Sequence, residues 1–174
     1  METIKSVNHN LTDFEDLTVY LDCTYNDMLE NTNKLDNLFW DLEKEGFSTK
    51  LISQLQELVN MFDKELTKLF EIEKYIYGEM EEVMPEQSSV TALKSENECI
   101  LKLLDNIKVL LSDKTDLRKQ KDLLQAELIS LADIIQRNIH KKGGFMLHEA
   151  RTFVPEDRLD KIVLDLKNKN ILNN

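Results

Sequence analysis

Residues 68–85, KLFEIEKYIYGEMEEVMP, form the second half of what reads as the longest helix in the chain. They complete an apolar stripe of Leu51, Leu55, Leu58, Phe62, Leu66, Leu69, Ile76 and Met80, in steps of three, four or seven. That spacing turns one helix face to a core and leaves Glu and Lys on the other. Ser48 offers an N-cap oxygen and Pro85, which lacks an amide N–H, stops the run. Roughly 35 residues at 1.5 Å each make a helix of about 50 Å. A small bundle needs less, so a kink near Gly78 or a projecting end is expected. A later stretch, residues 138–155, NIHKKGGFMLHEARTFVP, repeats the pattern.

Working outward, Thr12 and Glu15 are spaced as a capping box, with Leu11 placed for a hydrophobic staple. They predict a short helix over 13–21. Met28, Leu35, Leu38, Phe39 and Leu42 predict a first long helix over 27–45, ended by Gly46 in a left-handed conformation. After the second helix, Ser88 or Ser89 can cap a third over 90–111, and residues 112–115 read as a turn. Leu117, Leu123, Leu124, Leu128, Leu131, Ile134 and Ile135 carry a fourth helix to Lys142. Gly143 and Gly144 read as its break, and Pro155 opens a last helix over 156–166. Trp40, Tyr75 and Tyr77 read as packing residues.

Four Gly and two Pro in 174 residues leave little punctuation for hairpins, and the composition favours long helices. The expected fold is all-α, an up-down-up-down antiparallel four-helix bundle with short N- and C-terminal helices. Residues 1–26 read as an N-terminal extension and 27–174 as the bundle. The rival, an elongated coiled coil, needs a strict heptad that the stripes do not keep. A chain of this length buries roughly 70% of its unfolded surface, so neither metal nor disulfide is required for stability.

The formal charge is −11, with 19 acidic against 7 basic residues in 1–85 and 14 against 15 in 86–174. Such a chain is repelled by phosphate backbones and anionic lipid, which argues against nucleic-acid and membrane-surface binding. Cys23 and Cys99 make no disulfide framework and no zinc spacing. With no apolar run of about 18 residues and no signal-like start, a cytoplasmic protein is expected.

IEKYIYGEMEEVMP, VTALKSENECILKLL and IQRNIHKKGGFMLHEARTFVPEDRLDKI together resemble the hemerythrin-like, or HHE cation-binding, bundles over about residues 27–162. The resemblance implies a di-iron site. Its ligands would be a first-helix His, a His-x-x-x-Glu on the second helix, a Glu-His on the third, and a second His-x-x-x-Glu on the fourth. Carried over, those ligand positions fall on Thr32, Lys68, Ile72, Asn97, Asn138 and Lys142. None is an imidazole or a carboxylate, and two are ammonium groups, so no metal is expected there.

An inward lysine could place positive charge where iron would sit, provided carboxylate or carbonyl partners offset its burial. Glu71 near Lys68, and the amides of Asn97 and Asn138, are the partners considered. The expectation is instead that Lys68 and Lys142 snorkel outward. His140, His148, Glu71 and Glu73 are the substitute ligands that a surviving iron site would have to use. His140 and His148 are eight residues apart, which suits solvent-facing histidines better than a helical metal pair. No phosphate-binding or nucleophile motif is present. The sequence therefore points to a hemerythrin-like bundle without cofactor and without enzymatic chemistry, acting as an interaction or regulatory module for a protein partner, a basic one on grounds of charge. The alternative is a non-haem di-iron protein for oxygen, nitric oxide or iron sensing or storage.

Overall fold

Asp13 opens the first helix, α1 (Phe14–Glu45): its carboxylate accepts from the Asp16 amide at 2.9 Å, and Asp16 accepts in return from the Thr12 amide at 2.7 Å. The cap therefore lies one residue beyond the expected Thr12 and Glu15, with Leu11 buried beside it. The computed structural model describes residues 11–85, 89–112 and 119–172. Among them there is no strand. Ser88, residues 113–115, Leu117 and residues 1–10 lie outside the described residues.

α1 corrects one expectation directly. The short N-terminal helix and the first long helix are a single element running through residue 26. Residues 22–26 contain no Gly or Pro to break it, and Tyr25 is buried in the middle of the supposed linker. Gly46 ends α1 with φ 72° and ψ −166°, its amide donating to the Leu42 carbonyl at 3.1 Å. This is a glycine-specific backbone region rather than the expected left-handed helical one.

Ser48 caps α2 (Thr49–Val83) by accepting from the Leu51 amide at 3.1 Å, as expected. α2 is helical without interruption through Gly78. α3 (Ser89–Ser112) follows, then α4 (Lys121–Lys141). The Gly143–Gly144 pair does not break the fourth helix. A π turn, Lys142–Met146, closed by the Leu147 amide on the Lys142 carbonyl, carries it into α5 (Leu147–Phe153). Pro155, at φ −55° and ψ 142°, precedes α6 (Glu156–Asn168) rather than occupying its first turn.

The apolar stripes meet as their spacing demands. α1 packs on α2 and α4, and α3 also packs on α2 and α4. Leu17, Leu35, Phe62, Ile76, Leu104 and Ile135 are buried in the shared core, each such side chain contributing about 1.5–3 kcal/mol by leaving water. Trp40 is an exception to its expected packing role, 58% exposed and touching Phe39 edge-on.

Polar contacts fix how the helices run past one another. Gln56 and Asp63 of α2 meet the Leu111 carbonyl and Lys108 of α3, while Glu81 meets Lys94. Glu43 of α1 meets Gln125 of α4, Thr32 meets Gln136, and Glu15 meets Arg151 of α5. α6 lies across α2 and α1: Arg158 binds Glu79 and Glu82, and Asp160 accepts from the Phe14 amide at 3.2 Å. No helix among the described residues is long and apolar enough to cross a membrane.

Two glycines give a paired test of this backbone. Gly46→Ala is expected to cost about 1–3 kcal/mol because its φ is strained for any side chain. Gly78→Ala, exposed inside a helix with nothing within 4 Å of an added Cβ, is expected to gain about 1 kcal/mol. Urea denaturation of both variants checks this, and a neutral Gly46→Ala would contradict the turn.

Candidate functional site

α2 places Phe70, Glu73 and Tyr77 on one buried face, at spacings of three and four residues. The Glu73 side chain is fully buried, and a carboxylate there must be matched by donors from the surrounding helices. Four arrive. Tyr25 of α1 donates to Glu73 Oε1 at 2.9 Å. Oε2 receives Tyr77 at 3.2 Å, the Asn97 Nδ2 of α3 at 3.1 Å and the Lys142 Nζ at 2.7 Å. A carboxylate has about four lone-pair sites, and four donors converge on this one, one on Oε1 and three on Oε2.

Lys142 is matched as fully. Its side chain has no exposed surface. Nζ donates to Glu73 and, at 2.8 Å, to Asn97 Oδ1, and it stands 4.4 Å from the centre of the Phe70 ring. The negative ring face takes up part of the remaining charge. Asn97 thus accepts from the cation and donates to the anion, closing a three-membered ring of polar contacts. Among the described residues no buried side-chain nitrogen or oxygen lacks a partner.

The electrostatics follow from burial. Removal from water pushes the Lys142 ammonium below the ordinary lysine range, against the pull of Glu73. Burial, and then the Glu73 carboxylate, drive the phenols of Tyr25 and Tyr77 well above theirs. Both tyrosines therefore remain donors at neutral pH. The paired amine and carboxylate have no exposed surface. Its physical role is to join α1, α2, α3 and the π turn through one charge pair.

The positions singled out from sequence are only partly brought together. Asn97, Lys142 and Glu73, the last named only as a substitute ligand, are in the network, and Lys142 points inward, against the expectation that it would snorkel. Lys68 is half-buried with Nζ 3.5 Å from the Leu172 carbonyl, apart from the network. Glu71, its supposed partner, is exposed and pairs with Lys74. Ile72 is plain core.

Thr32 is buried, donating to the Leu29 carbonyl at 2.7 Å and accepting from Gln136. Asn138 is buried and donates to Glu96 at 3.1 Å; Lys141 joins the same carboxylate. His140 and His148 are exposed. Among the described residues, no three or more His, Cys, Asp or Glu side chains are grouped so as to hold a metal ion.

Tyr25, Phe70 and Tyr77 were not legible as site residues. Glu73 left a signal, since the apolar stripe of α2 steps from Leu69 to Ile76 over a carboxylate seven residues after Leu66 and seven before Met80. A charge at that register position is buried unless the stripe bends away. No family model, curated protein or solved structure matches the chain.

A double-mutant cycle tests the pair. Glu73→Gln or Lys142→Met alone is expected to cost about 3–5 kcal/mol, because each leaves a buried charge behind. The double variant should cost less than the sum by more than about 1 kcal/mol. Additive losses in urea denaturation would mean that the two groups do not interact.

Proposed function

We propose that the chain is a hemerythrin-like, up-down-up-down antiparallel four-helix bundle whose interior cation is the Lys142 ammonium, and that it acts as a metal-independent interaction or regulatory module. The observation that carries this reading is the Lys142–Glu73 pair at 2.7 Å, fully buried and fully hydrogen-bonded. Lys142 and Asn97 are two positions where the resemblance calls for iron ligands, and both are committed to that pair. The remaining four, Thr32, Lys68, Ile72 and Asn138, offer no imidazole and no carboxylate.

The residues present do not fit a di-iron group. Such a centre needs several neutral imidazoles and carboxylates converging inside the bundle. Here the interior carboxylate already accepts four donors, and a neighbouring ammonium repels a cation. The substitute ligands for an iron-linked role are scattered: His140, His148 and Glu71 face solvent, and Glu73 is engaged by four donors. Among the described residues no contact favours that alternative.

The opposite helix directions read from the polar contacts between α2 and α3, and between α1 and α4, support the bundle topology. The acidic first half of the chain supports a basic protein partner over nucleic acid. A cytoplasmic, non-enzymatic role completes the reading. A module of this kind keeps its fold through its own side chains and leaves its outer faces for recognition.

Elemental analysis and an absorption spectrum of tag-free protein grown with ample iron test it. The expected result is iron far below one atom per chain and a melting temperature that a chelator does not move. About two irons per chain with an oxo-bridge absorption band would overturn it.

A further inference from the structure

A surface groove of about 390 Å³ lies between α1 and the end of the fourth helix. The Tyr25 ring lines it from inside, so the groove and the buried ion pair share one side chain. Leu29 and Ile139 supply apolar lining, and Gly143 and Gly144 supply bare backbone.

The two glycines have no internal explanation. Gly46 is the only described glycine with positive φ, so the backbone here suits any residue. A Cβ on Gly143 would meet only Tyr25 at 3.9 Å, an ordinary contact, and one on Gly144 would meet nothing within 4 Å. Each glycine in a helix nevertheless costs about 1 kcal/mol relative to alanine. What they leave is open space in the groove.

The polar lining accepts more than it donates. Asp22 brings a carboxylate and Asn26 an amide oxygen. His140 Nδ1 lies 2.8 Å from the Gln136 carbonyl, which can only accept, so Nδ1 carries the hydrogen and Nε2 of the neutral ring is an acceptor. Nearby cations are engaged elsewhere: Lys141 on Glu96, and Arg151 on Glu15 and Thr18. Phe145, next in the chain, is 69% exposed.

Apolar lining with three acceptors matches a long aliphatic stem ending in a planar group of several donors. We propose that this groove docks an arginine side chain of a partner polypeptide, its stem against Leu29 and Ile139 and its guanidinium on Asp22, Asn26 and His140. The inference rests on the interaction-module reading and names the chemistry of the partner. The net charge of −11 steers a basic segment toward the surface, and Asp22 fixes it. Phe145 is placed to meet an apolar residue beside the arginine.

The test is an NMR titration of the full-length ¹⁵N-labelled chain with a blocked Ala-Arg-Ala peptide and its citrulline counterpart. Shifts are expected to concentrate on the amides of Gly143, Gly144 and Asn26. The citrulline peptide should bind about tenfold more weakly, for want of the charge-assisted bonds. Asp22→Asn should reproduce that loss. So should Gly144→Leu, which fills the groove without touching the core and should leave the thermal melt intact. Shifts scattered over the acidic faces, or undiminished in Asp22→Asn, overturn the groove while leaving a docking module in place. No shift at all also overturns it, and the metal content decides the underlying reading independently.

Discussion

The Lys142 ammonium and the Glu73 carboxylate, 2.7 Å apart with no exposed surface, constrain everything around them. Burying either alone would cost several kcal/mol, so neither position is independent of the other. Buried pairs of this kind add little net stability over a well-packed apolar core. What they impose is register. α2 must present Glu73 where α3 brings Asn97, where α1 brings Tyr25, and where the fourth helix brings Lys142; a slip of one turn in any of them strands a charge.

Local irregularities are consistent with that demand. The π turn begins at Lys142, and its wider winding lets the fourth helix bury Lys142, Met146 and Leu147 while Gly143, Gly144 and Phe145 face outward. α1 stays helical through the polar run 22–26, with Tyr25 anchored on Glu73. α6 braces the far ends of α1 and α2 through Asp160 and Arg158. The tethered Lys142 cation stands at the centre of these contacts. It keeps the interior polar and matched without any exchangeable ligand.

Much of the helical content was legible because three-and-four spacing is a local signal. α2 and α3 fall within a residue or so of their expected ends, and Ser48 caps as expected. The errors came where tertiary contacts override local propensity. The run 22–26 resembles a linker until Tyr25 finds a buried acceptor, and Gly143–Gly144 reads as a break until the π turn absorbs it.

The site was half legible for the same reason. Asn97 and Lys142 were singled out through the family resemblance. The inward turn of Lys142 could not be read, because its partner Glu73 is 69 positions away in sequence and was named only as a substitute metal ligand, while the carboxylate weighed as a lysine partner was Glu71, beside Lys68. Tyr25 and Tyr77 carry no sequence mark separating a hydrogen-bonded phenol from ordinary packing.

The register of the helices depends on Lys142 being a buried ammonium held by Glu73 and Asn97. Proton-detected NMR of protein with ¹⁵N-labelled lysine side chains examines that group alone. Near neutral pH, one Nζ should keep slowly exchanging protons, show contacts to the Phe70 ring, and vanish in Lys142→Met. If every lysine ammonium exchanges as freely as an exposed one, or if Lys142 resonates as a neutral amine, the account is contradicted.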